Sequence, residues 1–390
     1  MTAISIFRPR CGRRAFAATS SCAVDGGLYI SRAPAPQVRL ARTLFMHHRD
    51  DDTLLQQSRR CIRGWAAADL AIALIEKGGS DRCYYRVTAR GDCTGPETVI
   101  VMSYTDRRPD NASFFPATAV LELSGARAPR IFHHDEPQKL AWIEDLGEQD
   151  LWEYRLDDEN RLALYRSALR QVVCLHRMKW EEIPGHLLGG MQPPFDEKLY
   201  GWEQDYFFEQ FAARFSAADE TRLAQIRAQR DFAELRETLA SLPRSPVHRD
   251  FQSQNVIIRE GRAWMIDYQG LRQGRPEYDL ASLLYDPYVA LSAEERTILG
   301  DYYFELRRGD GPECTPEILA MCACQRLMQA LGAYGKLGAG DGKIMFLRHI
   351  APAVENLRSV LHASGLLPDL LEVLILREEA LRGAGGTDTL

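Results

Sequence analysis

Two short apolar runs, VII at 256–258 and WMI at 264–266, stand on either side of Glu260-Gly261-Arg262, inside a half of the chain that otherwise reads as helical. Runs this short joined by a glycine turn predict a β-hairpin. Folded about Gly261, the hairpin sets Asn255 and Asp267 opposite one another at its open end, where cross-strand α-carbons lie roughly 4.5 to 5.5 Å apart. An amide oxygen and a carboxylate held together there make a hard oxygen pair of the kind Mg2+ takes. Just upstream, VHRDFQSQN at 247–255 adds Asp250 on the adjoining loop and gives the spacing His-x-Asp-x-x-x-x-Asn.

That arrangement fits phosphoryl transfer. A divalent cation offsets charge on the phosphates while one aspartate orients an attacking hydroxyl and accepts its proton. An ordinary aspartate, ionised at pH 7, suffices for this. A catalytic-loop Asp and Asn followed by a second, metal-binding Asp is the order found in kinases. The spacing alone would fall by chance in roughly a few per cent of chains this size and is weak; the strand-turn-strand that follows makes it specific.

The rest of the chain frames the hairpin. Its 390 residues suffice for two lobes, and a net charge of -6 with pI near 5.9 argues against a general nucleic-acid binder. No apolar run approaches the roughly 18 residues that span a bilayer. Nine cysteines at irregular intervals, without a C-x-x-C pair, predict reduced thiols in a cytoplasmic protein, and Cys322 and Cys324 fall in an apolar helical pattern that reads as core. Residues 1–45 hold seven arginines, no lysine and one acid, and read as an extension that is a targeting peptide, a disordered arm or sequence upstream of a true start at Met46; residues 381–390 read as a flexible tail.

Apolar spacing predicts a helix from Leu54 to Ile75, then strands at 83–90 and 98–104, a helix at 112–124 and two further strands ending near Gly147. Helices dominate from 160 onward, with Trp202 and the aromatics at 205–211 read as core. The fold class is therefore α+β, with a small β-rich N-lobe (50–145) carrying a nucleotide-covering loop, and a larger helical C-lobe (146–380) carrying the catalytic and metal loops. An active site is expected in the cleft between them.

VHRDFQSQN, MIDYQG (265–270) and EYDLASLLYDPY (277–288) together resemble the aminoglycoside phosphotransferase/choline kinase family, over roughly residues 60–370. The resemblance implies a bilobal protein-kinase-like fold and a phosphotransferase that uses ATP and Mg2+ on a small-molecule hydroxyl. It implies Asp250 as catalytic base and Asn255 and Asp267 as metal ligands, with His248, Arg249 and Asp279 supporting the loop. GGSDRCYYRV (78–87) is similar to the family's phosphate-covering hairpin, which assigns Gly79, Ser80 and Arg82 to the nucleotide. IEDLG (143–147) is similar to its hinge, which sets Glu144, Asp145 and Leu146 beside adenine.

CQRLMQALGAYGKL (324–337) and HRDFQSQN look most like the branch of bacterial anomeric sugar kinases, which act on the 1-hydroxyl of N-acetylmuramate or N-acetylglucosamine in cell-wall recycling. The expected partner is thus a sugar, with no nucleic acid, no membrane and a monomeric protein. Other acceptors, aminoglycosides among them, stay open at this point, as does a nucleotide-binding pseudokinase. One departure motivates the last: the third strand offers Met102 or Ser103 where these folds usually carry a lysine, leaving Lys77, Arg82, Arg86 or Arg107 as replacements and Glu122 without its ion-pair partner.

Overall fold

The stretch expected as one helix from Leu54 to Ile75 divides in two. Helix α1 (Asp51–Cys61) is capped by Asp50, whose carboxylate accepts from the Thr53 amide at 3.0 Å. Acids in its first turn and arginines in its last suit the helix dipole. The chain then re-enters as strand β1 (Asp69–Ile75). Leu70, Ile72 and Leu74 alternate onto one packed face, but Ala71 and Ala73 between them are apolar and helix-favouring, which hides the period of two.

This computed structural model describes residues 50–75, 82–91, 93–108 and 110–377, and these described residues belong to one compact unit. The extension at 1–45, the tail at 381–390, and Lys77, Gly79 and Ser80 lie outside the described residues.

Strands β2 (Cys83–Arg90), β3 (Thr98–Ser103), β4 (Ile131–Asp135) and β5 (Leu140–Glu144) complete an antiparallel sheet in the order β1-β2-β3-β5-β4. β3 is apolar along its length because both its faces are covered. Val99 and Val101 join Leu54, Trp65 and Trp142 on one side. Ile100 and Met102 join Phe114, Ala117 and Leu121 of helix α2 (Asp110–Ser124) on the other. Met102 is therefore core, not a displaced phosphate ligand.

The C-lobe contains helices α3 (Arg161–Arg177), α4 (Glu197–Phe207), α5 (Pro276–Leu284), α6 (Ala293–Arg307), α7 (Pro316–Gly335) and α8 (Ile350–Ser364). α7 is buried along most of its length, and Cys322 and Cys324 are core residues within it. A β-carbon on Gly335 would lie 2.2 Å from the Gln210 carbonyl oxygen, so glycine is what lets α7 cross so near the chain that continues α4. The buried face of α4 is Tyr200, Glu203, Gln204 and Phe207, and Trp202 points outward, half exposed and stacked on Tyr206. Burying polar Glu203 and Gln204 ahead of a tryptophan breaks the hydrophobic pattern and marks this helix as more than packing. Among the described residues no helix is long and apolar enough to cross a membrane.

Candidate active site

The hairpin forms, with a register one residue different from that expected. Strands β7 (Val256–Arg259) and β8 (Arg262–Met265) pair Val256 with Met265 and Arg259 with Arg262. The turn is two residues long, with Glu260 at φ +53° and Gly261 at +69°, the backbone of a tight hairpin turn. Asn255 therefore faces Ile266, whose amide donates to the Asn255 carbonyl at 3.0 Å, and not Asp267. A shift of one residue ordinarily sends a side chain to the opposite face. Asp267 instead takes a left-handed φ of +62°, and it lines the same cleft of about 710 Å3 as Asp250 and Asn255.

The loop before the hairpin is held from beneath by two buried carboxylates. Asp279, in the first turn of α5, accepts from the His248 amide at 2.6 Å and the Arg249 amide at 2.8 Å. It also lies 2.9 Å from His176 Nε2, whose other ring nitrogen is 2.7 Å from the Tyr303 hydroxyl. Burial pulls His176 below its ordinary pKa, so the neutral ring donates to Asp279 and accepts from Tyr303. Asp286 accepts from both the amide and the hydroxyl of Ser253, at 2.8 and 2.5 Å. His248 is fully buried, 3.0 Å from the Ile266 carbonyl, and so ties the loop to the hairpin. Arg249 is forced to φ +80°, a strain these amide bonds sustain.

Asp279→Ala would leave the His248 and Arg249 amides and His176 buried without an acceptor. We expect a loss on the order of 3 kcal/mol in urea unfolding, with an unchanged m-value. A loss below about 1 kcal/mol would show that the loop holds its shape without Asp279.

On the side facing the sheet, the cleft is lined by the apolar side chains of Ile75, Ile100, Ile143, Leu146, Ile257 and Ile266. Glu144, Asp145 and Leu146 border it. The Asp145 side chain does not face a ligand freely: Arg86 grips it at 2.6 Å and also holds Glu148, which fixes the connection between the lobes. Arg86 is thus committed to the hinge, and Arg107 is exposed. Arg82 is the remaining described candidate for the missing lysine. It is buried at the start of β2, donates to Asn111 of α2 at 2.8 Å, and lies 3.9 Å from both Asp110 and Asp267. Glu122, expected as the helix partner of a strand cation, is exposed on the outer face; the polar contact from α2 comes instead from its N-terminal Asn111.

Asn255 donates its amide NH2 to the Asp250 carbonyl at 2.8 Å, which leaves its amide oxygen as the atom for a cation. With Asp267 this gives one carboxylate and one neutral oxygen, and no cluster of three acidic, histidine or cysteine side chains lies among the described residues. That donor set suits Mg2+, which binds through one or two protein oxygens and completes its shell with phosphate and water.

Asp250 lies on the loop surface facing the C-lobe and is surrounded by arginines. Arg249 Nη1 is 3.1 Å and Arg326 Nη2 of α7 is 3.8 Å from its carboxylate. Burial pushes the Asp250 carboxyl up, but the guanidiniums of Arg249 and Arg326 outweigh it and hold the group below the usual carboxylate range. Glu203 on α4, pushed up by burial, accepts from the Tyr278 hydroxyl and from Gln325, both at 3.0 Å, and so anchors α7 one residue from Arg326.

Sequence reasoning placed the loop residues but missed Asp286, Arg326, Arg272 and Glu203. Asp286 had a local signal, an acid seven residues after Asp279 and just past the end of α5. Arg326 and Arg272 come near Asp250, and Glu203 near Arg249, only through packing of distant helices and strands, which no local spacing encodes.

A β-sheet lobe, a helical lobe and an Asp-Asn-Asp cleft between them define a kinase-like phosphotransferase. The Phosphotransferase enzyme family matches residues 64–314, and the chain belongs to it, as an enzyme that transfers phosphate to an alcohol group. Relatives named N-acetylmuramate/N-acetylglucosamine kinase include one from Neisseria meningitidis serogroup B, 26% identical over 304 residues (75% of this chain, 86% of the relative). Another, from Pseudomonas aeruginosa, is 22% identical over 286 residues (72% and 82%). Among solved structures, choline kinase LicA from Streptococcus pneumoniae superposes with a TM-score of 0.54 at 13% identity, over 79% of this chain and 99% of that one. APH(2″)-IIa in its streptomycin–ATP ternary complex gives 0.51 at 13%, over 73% and 90%. At such identities the solved structures establish the bilobal fold alone.

Proposed function

We infer that this enzyme is a sugar kinase that uses ATP and Mg2+ to phosphorylate the anomeric hydroxyl of an N-acetyl amino sugar, as in cell-wall recycling. The observation that carries the reading is the positive surround of Asp250. Aminoglycosides are polycations, and a wall containing Arg249, Arg272 and Arg326 repels them. A neutral or anionic sugar meets no such penalty, which agrees with the names borne by the relatives.

In this reading the base lies against the apolar side chains on the sheet side of the cleft, its phosphates run past Arg82, and the acceptor lies toward α4 and α7. Asn255 and Asp267 would hold the metal, which when bound offsets charge on the phosphates. Asp250 accepts a hydrogen bond from the sugar hydroxyl and aims its oxygen at the γ-phosphorus. The new oxygen–phosphorus bond forms as the bond to the β-phosphate oxygen breaks, and the hydroxyl proton passes to Asp250 late in the transfer.

The test is ADP release from Mg·ATP with N-acetylmuramate, N-acetylglucosamine, other hexoses, choline and kanamycin. Turnover on an N-acetyl sugar, with phosphorus NMR placing the phosphate on carbon 1, is the expected result. Turnover confined to choline or kanamycin overturns the sugar reading and leaves the phosphotransferase.

A further inference from the structure

The cleft holds more positive charge beside Asp250 than its own acids answer. Three guanidiniums, Arg249, Arg272 and Arg326, face two carboxylates, Asp250 and Glu203. Glu203 is already taken by Tyr278 and Gln325. Arg326 is also well used, donating to Ser282 at 2.9 Å and to Gln329. Arg249 gives Nη1 to Asp250, but its Nε is buried with no hydrogen-bond partner.

Arg272 is the least answered of the three. It opens strand β9 (Arg272–Gly274), which pairs with β6 (Ser245–Val247) so that Arg272 faces Val247 at the root of the catalytic loop. Its guanidinium lies 5.3 Å above the Phe195 ring, its Nε donates to the Gly270 carbonyl at 2.9 Å, and it lines the same cleft as Asp250. Among the described residues no carboxylate comes within ion-pair distance of it. Burial, with Arg249 beside it, pulls its pKa down to about 10, so it remains a cation at neutral pH. A buried cation without a counterion is costly, and a ligand that supplies the counterion recovers that cost.

Phosphate of the nucleotide does not explain this charge. Arg82, Asn255 and Asp267 serve that side of the cleft, whereas Arg272 rests on Phe195 and feels Glu203 and Tyr278, all in the C-lobe. A β-carbon on Gly270 would sit 3.2 Å from the Arg249 side chain and 3.7 Å from the Asp250 carboxylate, so a side chain there would crowd the base and its arginine. We propose that Arg272 and the Nε of Arg249 form an anion subsite next to Asp250 that reads a carboxylate on the acceptor. Arg272 thereby separates amino sugars that carry a carboxylate from those that do not. This rests on the sugar-kinase reading and adds to it a specificity-determining residue.

N-acetylmuramate and N-acetylglucosamine differ by a lactyl ether bearing one carboxylate, so their kcat/KM ratio isolates the contact. In the full-length protein, Arg272→Met should lower the N-acetylmuramate to N-acetylglucosamine ratio by about 30-fold, the worth of a charged hydrogen bond. Arg272→Lys, which keeps the charge but loses the planar fork, should fall between. The wild-type enzyme gives an independent arm that needs no variant to fold: the methyl ester of N-acetylmuramate should lose most of the advantage of the acid. An unchanged ratio, with both sugars still turned over, refutes the subsite and spares the sugar reading. A rise in KM for ATP equal on both sugars reassigns Arg272 to nucleotide phosphate and also refutes it. No wild-type turnover on either sugar removes the sugar reading and this proposal together.

Discussion

Asp250→Asn is expected to lower kcat by about 100-fold or more while ATP binding stays near that of the unaltered enzyme. Asparagine keeps the shape of the side chain but cannot take the proton of the attacking hydroxyl, and general-base assistance is worth roughly 10² to 10⁴. The substitution also removes the countercharge of Arg249, 3.1 Å away, so a melting curve beside the rate separates a chemical defect from a folding one. The pH dependence supplies a second check. Burial raises the Asp250 carboxyl but Arg249 and Arg326 lower it further, and the net direction is down. A base with a depressed pKa is ionised at every pH above that value and is lost only as pH falls through it. Activity should therefore show no acid limb attributable to Asp250 above pH 5. Near-normal turnover in the variant, or a base titrating near neutrality, would remove Asp250 from the chemistry.

The catalytic loop was legible because its chemistry is local. His248, Asp250 and Asn255 share one loop, and the two strands after it are too short to be helix and too apolar to be surface. The bilobal fold followed from period-two and period-3.6 runs that change over near Gly147. Where alternation was diluted, as by Ala71 and Ala73 in β1, the strand was mistaken for helix. The one-residue error at the hairpin came from centring the turn on Gly261 when Glu260 also adopts positive φ, a conformation that only the fold imposes on glutamate. Arg82 was recognised as a phosphate candidate, but nothing in the sequence ranked it above Arg86, which Asp145 and Glu148 hold at the hinge. The cluster beside Asp250 was illegible altogether. Glu203, Arg272 and Arg326 come from three separate elements, and Gly332 and Gly335 let α7, which carries Arg326, approach the chain of α4, which carries Glu203.

Asp267 carries the other large effect, and its backbone decides how it should be tested. At φ +62° an alanine would add strain to the loss of the carboxylate, whereas asparagine occupies left-handed backbone readily. Asp267→Asn therefore isolates the charge. It should raise the Kd for Mg·ATP by at least tenfold, read by titration calorimetry, because it leaves two neutral amide oxygens where the donor set had one carboxylate. The same substitution removes the charge of one of the two acids 3.9 Å from Arg82, so ATP without magnesium should bind no more weakly than to the unaltered enzyme. The two titrations together decide the role. Weaker Mg·ATP with unweakened free ATP places Asp267 at the metal; equal losses in both would make it a general element of the nucleotide pocket. Unchanged affinity in both would remove it from the site, and Asn255 would then lack the carboxylate that makes its amide oxygen a plausible ligand for a hard cation.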